Sequence, residues 1–260
     1  MNLLVVNDDG IKAAGIKALV DALSEVGTVY VCAPHQQRSA ASHSITMREP
    51  IRIKSTEMEK AELALLCTGT PADCVKLGLK VLSDLGIEID MIFSGINMGA
   101  NLGTDVLYSG TVAAAIEGSI CGKPSVAVSV DSHEAIHFNY ACQLAVNCAK
   151  NAYERIPAGH VLNINVPNLP SYEIGGVKFT SLGPREYDPL FVLENGIEGD
   201  KEYIDLAYSY GSGRVVYDNL TTYVDVVAVQ KKFASITPLK YDMTAGINLV
   251  EDIRSWGLDE

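Results

Sequence analysis

The sequence predicts an α/β protein built on a mostly parallel sheet. In the first third of the chain, short runs rich in aliphatic and β-branched residues alternate with longer segments of helical pattern. The first run, residues 3–6, is apolar throughout, as expected for a strand that is covered on both faces. In the next segment apolar residues recur at helical spacing from Ile16 to Leu23, and Gly27 ends the pattern.

Further strands and helices follow in order along the chain. The predicted strands cover residues 3–6, 28–33, 51–53, 63–67, 89–93, 125–130 and 161–166, and the predicted helices cover residues 14–23, 71–82, 111–120 and 134–155. Thr70 is the predicted N-cap of the second helix, with Pro71 at its first position. Alternation between residues 175 and 217 predicts hairpins, residues 222–229 predict a last strand, and residues 244–256 predict a short terminal helix.

Composition and charge restrict the classes of function. The chain has 260 residues, of which 48% are hydrophobic and 20% charged, as in an ordinary globular protein. Lys and Arg number 20 against 32 Asp and Glu, and the formal net charge of -12 repels nucleic acid. We therefore expect no nucleic-acid-binding surface. Small anionic substrates stay compatible with this charge, because a bound divalent cation inverts the local potential.

The cysteines and the N-terminus predict the cellular location. None of the six cysteines forms a C-x-x-C pair, and most lie in apolar runs, which favours buried free thiols in a reducing compartment. Residues 1–6 lack the basic region and the length of a signal peptide, and no apolar run is long enough to span a membrane. We expect a cytoplasmic protein with no membrane partner.

A carboxylate pair directly follows the first predicted strand, in the motif Asn7-Asp8-Asp9-Gly10. Ligands of open α/β sheets collect at the carboxyl ends of the strands. Two adjacent carboxylates repel each other unless a cation or strong donors neutralise them, and carboxylate oxygens suit Mg²⁺ or Mn²⁺. The alternative interpretation is a plain turn, for which this composition is also common.

A second polar segment, residues 94–103, follows another predicted strand. Its three glycines allow backbone N–H groups to approach an anion closely, and Asn97 and Asn101 offer groups that bind a metal or a phosphate. A long flexible loop is the alternative. Further along, Ser109 or Thr111 caps the third predicted helix, and a helix N-terminus with flanking hydroxyls also binds anions.

Several other chemistries lack their motifs. No Gly-Lys-Ser/Thr follows the glycines, so the segment is not a P-loop, and no Gly-x-Ser-x-Gly elbow is present. The polar loop of residues 34–47 contains Arg38, Ser39 and His43, but its histidines have no partners at zinc-ligand spacing. The dinucleotide-binding fingerprint after the first strand is also missing.

Together these segments resemble the survival protein E (SurE) family of 5′/3′-nucleotidases. The resemblance covers nearly the whole chain and is carried by residues 5–10 (VVNDDG), 33–39, 67–75 (CTGTPADCV), 94–103 (SGINMGANLG), 108–115 (YSGTVAAA), 222–225 and 235–239 (SITPL). It implies one divalent metal ion, Mg²⁺ or Mn²⁺, held by Asp8, Asp9, Ser39 and Asn97. It also implies Asp8 and Asp9 as catalytic residues and a phosphate cradle formed by Asn101, Ser109, Gly110 and Thr111.

The fold implied by this resemblance is a three-layer α/β/α, Rossmann-like domain with a mostly parallel sheet. A single domain would span residues 1–260, with an α/β core in residues 1–170. Residues 171–260 would supply the remaining core strands and a β-hairpin/helix extension used in oligomerisation. The implied assembly is a homodimer or a homotetramer, and residues 172–220 are the least similar to the family.

The implied activity is that of a metal-dependent, acid-type phosphatase that hydrolyses nucleoside 5′- and 3′-monophosphates to nucleoside and phosphate. Short polyphosphate is a further candidate substrate. Either Asp8 orients or deprotonates the attacking water, or an aspartate attacks phosphorus and forms an aspartyl-phosphate.

Two non-enzymatic interpretations stay open, a receiver-type signalling switch and a small-molecule-binding protein. A receiver domain also carries a carboxylate pair after its first strand, but this chain is far longer than one such domain. Moreover, no Asp occurs within residues 51–67, where the strand bearing the phosphorylated residue would end.

Overall fold

Nine strands form one mixed sheet in the computed structural model, which describes residues 1–38, 41–188, 191–196, 206–210, 214–216 and 223–244. The described strands are β1 (Asn2–Val6), β2 (Thr28–Pro34), β3 (Ile53–Thr56), β4 (Leu63–Cys67), β5 (Met91–Met98), β6 (Ser125–Asp131), β7 (His160–Pro167), β8 (Val177–Phe179), β9 (Glu186–Asp188), β10 (Phe191–Gly196), β11 (Leu206–Tyr210), β12 (Arg214–Val216) and β13 (Ala234–Lys240). The described α-helices are α1 (Ala14–Leu23), α2 (Pro71–Asp84), α3 (Gly110–Ile120), α4 (Asn139–Asn151) and α5 (Asp225–Gln230).

The strand order of the large sheet is β3-β4-β2-β1-β5-β6-β7-β13-β8. Strands β4, β2, β1, β5, β6 and β7 run parallel to one another, whereas β3 is antiparallel to β4 and β13 is antiparallel to β7. The prediction of an α/β fold with a mostly parallel sheet is confirmed. The chain first builds the sheet outwards from β1 through β2 and β4, then returns to the other side of β1 with β5, so the order reverses between β1 and β5.

Helices cover both faces of this sheet. In β1, Leu3 and Val5 pack in one cluster with apolar residues of α1 and α4, whereas Leu4 and Val6 pack in another with residues of α2 and α3. This alternation follows from the two-residue period of a strand, and it gives the three layers of the fold. No described helix combines the length and the apolar character that crossing a membrane requires.

The predicted start of α2 is confirmed in detail. The Thr70 hydroxyl accepts the Asp73 backbone N–H at 3.2 Å, and the Asp73 carboxylate accepts the Thr70 N–H at 2.9 Å. This reciprocal pair is a capping box, and it satisfies donors that have no partner inside the helix. The predicted bounds of α1 and β4 also agree with the structure, because both segments have strong local periodicity.

The predicted strand over residues 222–229 is wrong, since the structure has helix α5 there. Residues 225–229 are buried around the whole helix, so their continuous apolar run has no helical period that would distinguish it from a strand. The buried Asp225 carboxylate holds this helix by accepting the N–H groups of Gly103 at 2.8 Å and of Gly183 at 2.9 Å.

Smaller differences concern the ends of elements. Helix α4 begins at Asn139 rather than near residue 134, because the Asn168 side chain accepts the N–H groups of Ile136 and His137 and holds them outside a helix. The predicted strand at residues 51–53 lies two residues further on, as β3. The expected hairpin character is confirmed by two antiparallel pairs, β10 with β11 and β9 with β12. The predicted terminal helix lies outside the described residues from position 245 onwards.

Candidate metal and phosphate site

The reversal of strand order brings three predicted site segments to one edge of the sheet. Asp8 and Asp9 directly follow β1, Asn97 lies near the end of β5, and α3 begins at Gly110. The carboxyl ends of β1 and β5 flank the point where the order reverses, which is where open α/β sheets form their ligand-binding crevice.

Asp8 lies on the α3 side of the sheet, as the alternation along β1 requires. Its side chain is buried, with 5% of the residue exposed, and its Oδ1 accepts the Thr111 hydroxyl at 2.5 Å. A Cβ at position 110 would lie only 2.9 Å from Asp8 Oδ2. Glycine at this position therefore lets the first turn of α3 approach the carboxylate closely.

The surroundings of Asp8 disfavour its negative charge. Burial raises the pKa of Asp8 to about 6, the Thr111 hydroxyl lowers this pKa, and the charge of Asp9 raises it. Thr111 therefore opposes part of the desolvation cost, but the carboxylate remains poorly compensated. The pKa value indicates a group that a nearby cation would stabilise in its ionised form.

Asp9 lies towards β5 and is partly exposed. Its Oδ2 accepts the backbone N–H of Met98 at 3.0 Å, and its Oδ1 accepts the Gln37 side chain at 3.3 Å. Burial raises the pKa of Asp9, whereas the Met98 N–H and the charge of His133 lower it. The Met98 hydrogen bond connects the carboxylate directly to the end of β5.

The donor set around the pair fits a hard divalent cation. Within the described part of the chain, neither carboxylate forms an ion pair with a Lys, Arg or His side chain. The Asn97 amide nitrogen donates to the Gly99 carbonyl at 2.7 Å, which leaves its oxygen as an acceptor. Carboxylate and amide oxygens are the ligands that Mg²⁺ and Mn²⁺ prefer.

The predicted ligand Ser39 lies outside the described residues. Its neighbour Arg38 is attached to the site by the backbone, because the Arg38 N–H donates to the Asp8 carbonyl at 2.7 Å. The Arg38 side chain donates to the Thr68 carbonyl at 3.2 Å, just before α2.

Three of the four predicted phosphate-binding residues lie together at the N-terminus of α3. Ser109 caps the helix, since its hydroxyl accepts the Val112 N–H at 3.0 Å, and Gly110 and Thr111 form the first turn beside Asp8. The positive end of the helix dipole thus faces the carboxylate edge of the site.

Asn101 has a different environment from the other predicted phosphate-binding residues. It is buried, and its contacts lead to β6 and β7: its side chain donates to Ser129 at 2.8 Å, and its backbone N–H donates to Asn165 at 2.7 Å. The Asn101 carbonyl also accepts the side chains of Asn163 and Asn165. These bonds tie the chain between β5 and α3 to the sheet, which disfavours the alternative of a flexible loop.

The sequence did not identify three groups that act on Asp9, namely Gln37, the Met98 N–H and His133. A backbone donor leaves no trace in residue type, and Gln37 belongs to a loop whose course depends on tertiary contacts. His133 follows β6, the neighbour of β5, so its position after a predicted strand was the available signal. A Cβ at Gly99 would lie 2.9 Å from the His133 ring, which shows how closely the two loops pack.

Comparison with known proteins agrees with this architecture. The family model described as "Survival protein SurE" matches residues 3–189. The protein named 5′-nucleotidase SurE from Moorella thermoacetica is 46% identical over 246 residues, covering 94% of this chain and 92% of the relative. Its namesake from Gloeobacter violaceus is 43% identical, covering 98% of this chain and 96% of the relative.

A solved structure extends the similarity to three dimensions. The SurE protein from Aquifex aeolicus superposes with a TM-score of 0.82 at 35% sequence identity, over 98% of this chain and 99% of that one. The family model, the sequence relatives and the shared fold agree, and the chain therefore belongs to the SurE family.

Proposed function

We propose that this protein is a divalent-metal-dependent phosphomonoesterase that hydrolyses nucleoside 5′- and 3′-monophosphates to nucleoside and phosphate. One observation carries the proposal: a buried carboxylate, Asp8, lies beside a second carboxylate and against the N-terminus of α3. A cation site and an anion site therefore adjoin each other, as the binding of a metal ion together with a phosphate requires.

In this proposal Asp8, Asp9, Asn97 and Ser39 hold one Mg²⁺ or Mn²⁺. A divalent ion in such a site polarises a phosphoryl oxygen and lowers the pKa of water. Ser109, Gly110 and Thr111 bind the phosphate oxygens through hydroxyl and backbone N–H groups, and Asn101 is the fourth residue of the phosphate cradle. The negative charge of the protein as a whole does not oppose this, because the local field comes from the metal and the helix.

Asp8 has two candidate roles in the reaction. In one role the carboxylate takes a proton from an attacking water, and Thr111 fixes the orientation of the carboxylate. Alternatively, an aspartate oxygen attacks phosphorus, the bond from phosphorus to the nucleoside oxygen breaks and releases the nucleoside, and water then cleaves the aspartyl-phosphate to phosphate.

The names of the relatives support the choice of substrate. Several are named 5′-nucleotidase, which favours nucleoside 5′-monophosphates for this chain. The 3′-monophosphates and short polyphosphate share the same phosphoryl group and are included in the proposal on that chemistry. We also propose a cytoplasmic location.

Assembly of the protein is proposed to use the part beyond residue 171. Large apolar side chains are exposed there, Tyr172 at 85% and Phe179 at 75%, which is typical of surfaces that a second copy covers. This supports a homodimer or homotetramer formed through the C-terminal extension, and we propose that this extension belongs to a single α/β domain.

Phosphate release with and without EDTA tests the proposed activity. We expect the protein to release phosphate from 5′- and 3′-mononucleotides, EDTA to remove the activity, and Mg²⁺ or Mn²⁺ to restore it. A receiver-type switch would instead phosphorylate itself without turnover, and a binding protein would retain the nucleotide unchanged. Turnover that persists after complete removal of metal would contradict the metal assignment.

Asp9→Asn tests the metal ligands. We expect phosphate release to fall by roughly 10²-fold or more, because charge stabilisation by a metal contributes several kcal/mol. The fold should persist, since an amide oxygen can still accept the Met98 N–H. Asp84→Asn, the same change on the exposed end of α2, is the control and should keep full activity. Equal activities of the two variants with added Mg²⁺ would refute the assignment.

Ser109→Ala tests the phosphate cradle. We expect inhibition by inorganic phosphate to weaken by roughly tenfold or more, since a hydrogen bond to a charged group contributes ~1.5–3 kcal/mol. Loss of the cap should also cost about 1 kcal/mol of unfolding free energy. Ser109→Thr keeps a hydroxyl and serves as the control. If stability falls in the alanine variant but the inhibition constant does not change, Ser109 acts only as a cap.

Asp8→Asn tests whether burial of the carboxylate strains the metal-free protein. The pKa of Asp8 lies above its ordinary value of 3.8, at about 6, so folding favours the protonated form. The stability that Asp8 contributes is therefore complete below about pH 4, and it is lost as the pH rises through about 6.

In EDTA-treated protein, Asp8→Asn should thus be more stable than the wild type by about 1–3 kcal/mol at about pH 7.5, and this difference should disappear at about pH 4. Urea unfolding at the two pH values measures it. A variant that is less stable than the wild type at the higher pH would show that the carboxylate is well compensated without metal.

A further inference from the structure

Three cysteine thiols converge in the layer between the sheet and α2. Cys32 lies on β2, Cys67 at the end of β4 and Cys74 on α2, and all three are buried. Their sulfur atoms all lie within 4.8 Å of one another, and none of the three forms a disulfide. The proposed hydrolysis uses none of these residues, so the cluster requires a separate explanation.

The convergence follows from strand register and close helix packing. Cys32 pairs with Leu65 across the parallel strands, so Cys67, two residues further on, faces the same side of the sheet. Gly78, one turn after Cys74, lets α2 approach this face: a Cβ at position 78 would lie 3.0 Å from the Cys32 Cβ. The register of β2 and β4 and the close packing of α2 thus bring the three sulfur atoms together.

The cluster is also polarised towards a thiolate. The neighbouring thiols of Cys32 and Cys74 lower the pKa of Cys67 below the ordinary value of a thiol. The Gly69 N–H donates to the same sulfur at 3.3 Å, and the N-terminus of α2 begins close by. The surroundings of Cys67 therefore favour its thiolate form.

We propose that Cys32, Cys67 and Cys74 form a buried three-sulfur site for a soft monovalent metal ion of the Cu(I) type. A metal bound at ~2.3 Å from three sulfurs in a plane requires sulfur–sulfur distances of about 4 Å, which small shifts of these side chains provide. Soft thiolate ligands select Cu(I), and among the described residues no His, Asp or Glu adds the fourth ligand of a structural zinc site.

Binding requires only exchange of protons for the metal. Each sulfur binds Cu(I) as a thiolate, any proton that it still carries is released to solvent, and no electron is transferred. Cys67 lies next to exposed Thr68 at the end of β4, so the cluster is close to the edge of the buried layer. The bound ion would join β2, β4 and α2, and it should therefore stabilise the folded state.

Anaerobic titration of the fully reduced protein with Cu(I), in competition with a chromophoric Cu(I) chelator, tests the site. We expect tight binding of a single ion, a sulfur-to-copper charge-transfer absorption and a raised melting temperature. Cys32→Ala, Cys67→Ala and Cys74→Ala should each lower the affinity by at least about tenfold, because loss of even an outer-shell partner commonly costs ~10–100-fold. Cys148→Ala, which removes a buried thiol of α4, should bind as the wild type does.

A further measurement does not depend on the folding of any variant. X-ray absorption of the wild-type protein loaded with one Cu(I) should show three sulfur neighbours at a single distance. Fewer than three sulfur neighbours would overturn the proposal, as would equal affinities for the wild type and Cys74→Ala. A loss of affinity in Cys148→Ala as large as that in Cys74→Ala would also overturn it, because binding would then be unspecific.

Discussion

The buried carboxylate of Asp8, next to the carboxylate of Asp9, is the constraint on which the rest of the site depends. The alternation of β1 sends Leu4 and Val6 towards α2 and α3, and Asp8 continues this series into the first turn of α3. The same backbone then turns Asp9 towards the end of β5. One strand thus presents two negative groups to different neighbours, and the proposed cation would relieve the repulsion that this arrangement creates.

The order of the strands makes this arrangement available. Because the sheet grows first on one side of β1 and then on the other, the carboxyl ends of β1 and β5 flank the point where the strand order reverses, which is where open α/β sheets bind their ligands. The N-terminus of α3 lies beside Asp8 at this point, and Gly110 allows the close approach. The buried Asp225 carboxylate holds the segment between β5 and α3 by accepting the Gly103 N–H, and it also accepts the Gly183 N–H. Burial raises the pKa of Asp225. The C-terminal part therefore contributes to the geometry of the site as well as to the sheet.

Local sequence patterns predict much of the fold and of the candidate site, and long-range contacts account for the remaining features. The capping box of α2 and the apolar run of β1 each depend on residues that are close in sequence, so the sequence pattern alone predicts them. The apolar run of helix α5 predicts a strand because the protein surrounds this helix on all sides, and only tertiary structure produces that burial. The position of Asp8 and Asp9 after a strand predicts a ligand site, which stays a prediction, whereas the Met98 N–H and the charge of His133 reach Asp9 from other parts of the sheet. The proposed ligand Ser39 stays a prediction from resemblance.

The oxygen site and the sulfur cluster are physically connected, although they suit different ions. Hard oxygen ligands favour Mg²⁺ or Mn²⁺ and soft sulfur ligands favour Cu(I), so neither site competes for the metal of the other. The Cys67 carbonyl, however, accepts the His35 N–H, and the next carbonyl, that of Thr68, accepts the Arg38 side chain. Arg38 in turn donates its backbone N–H to Asp8. An ion that immobilises Cys67 would therefore restrain the segment from His35 to Arg38, which leads into the proposed metal ligands.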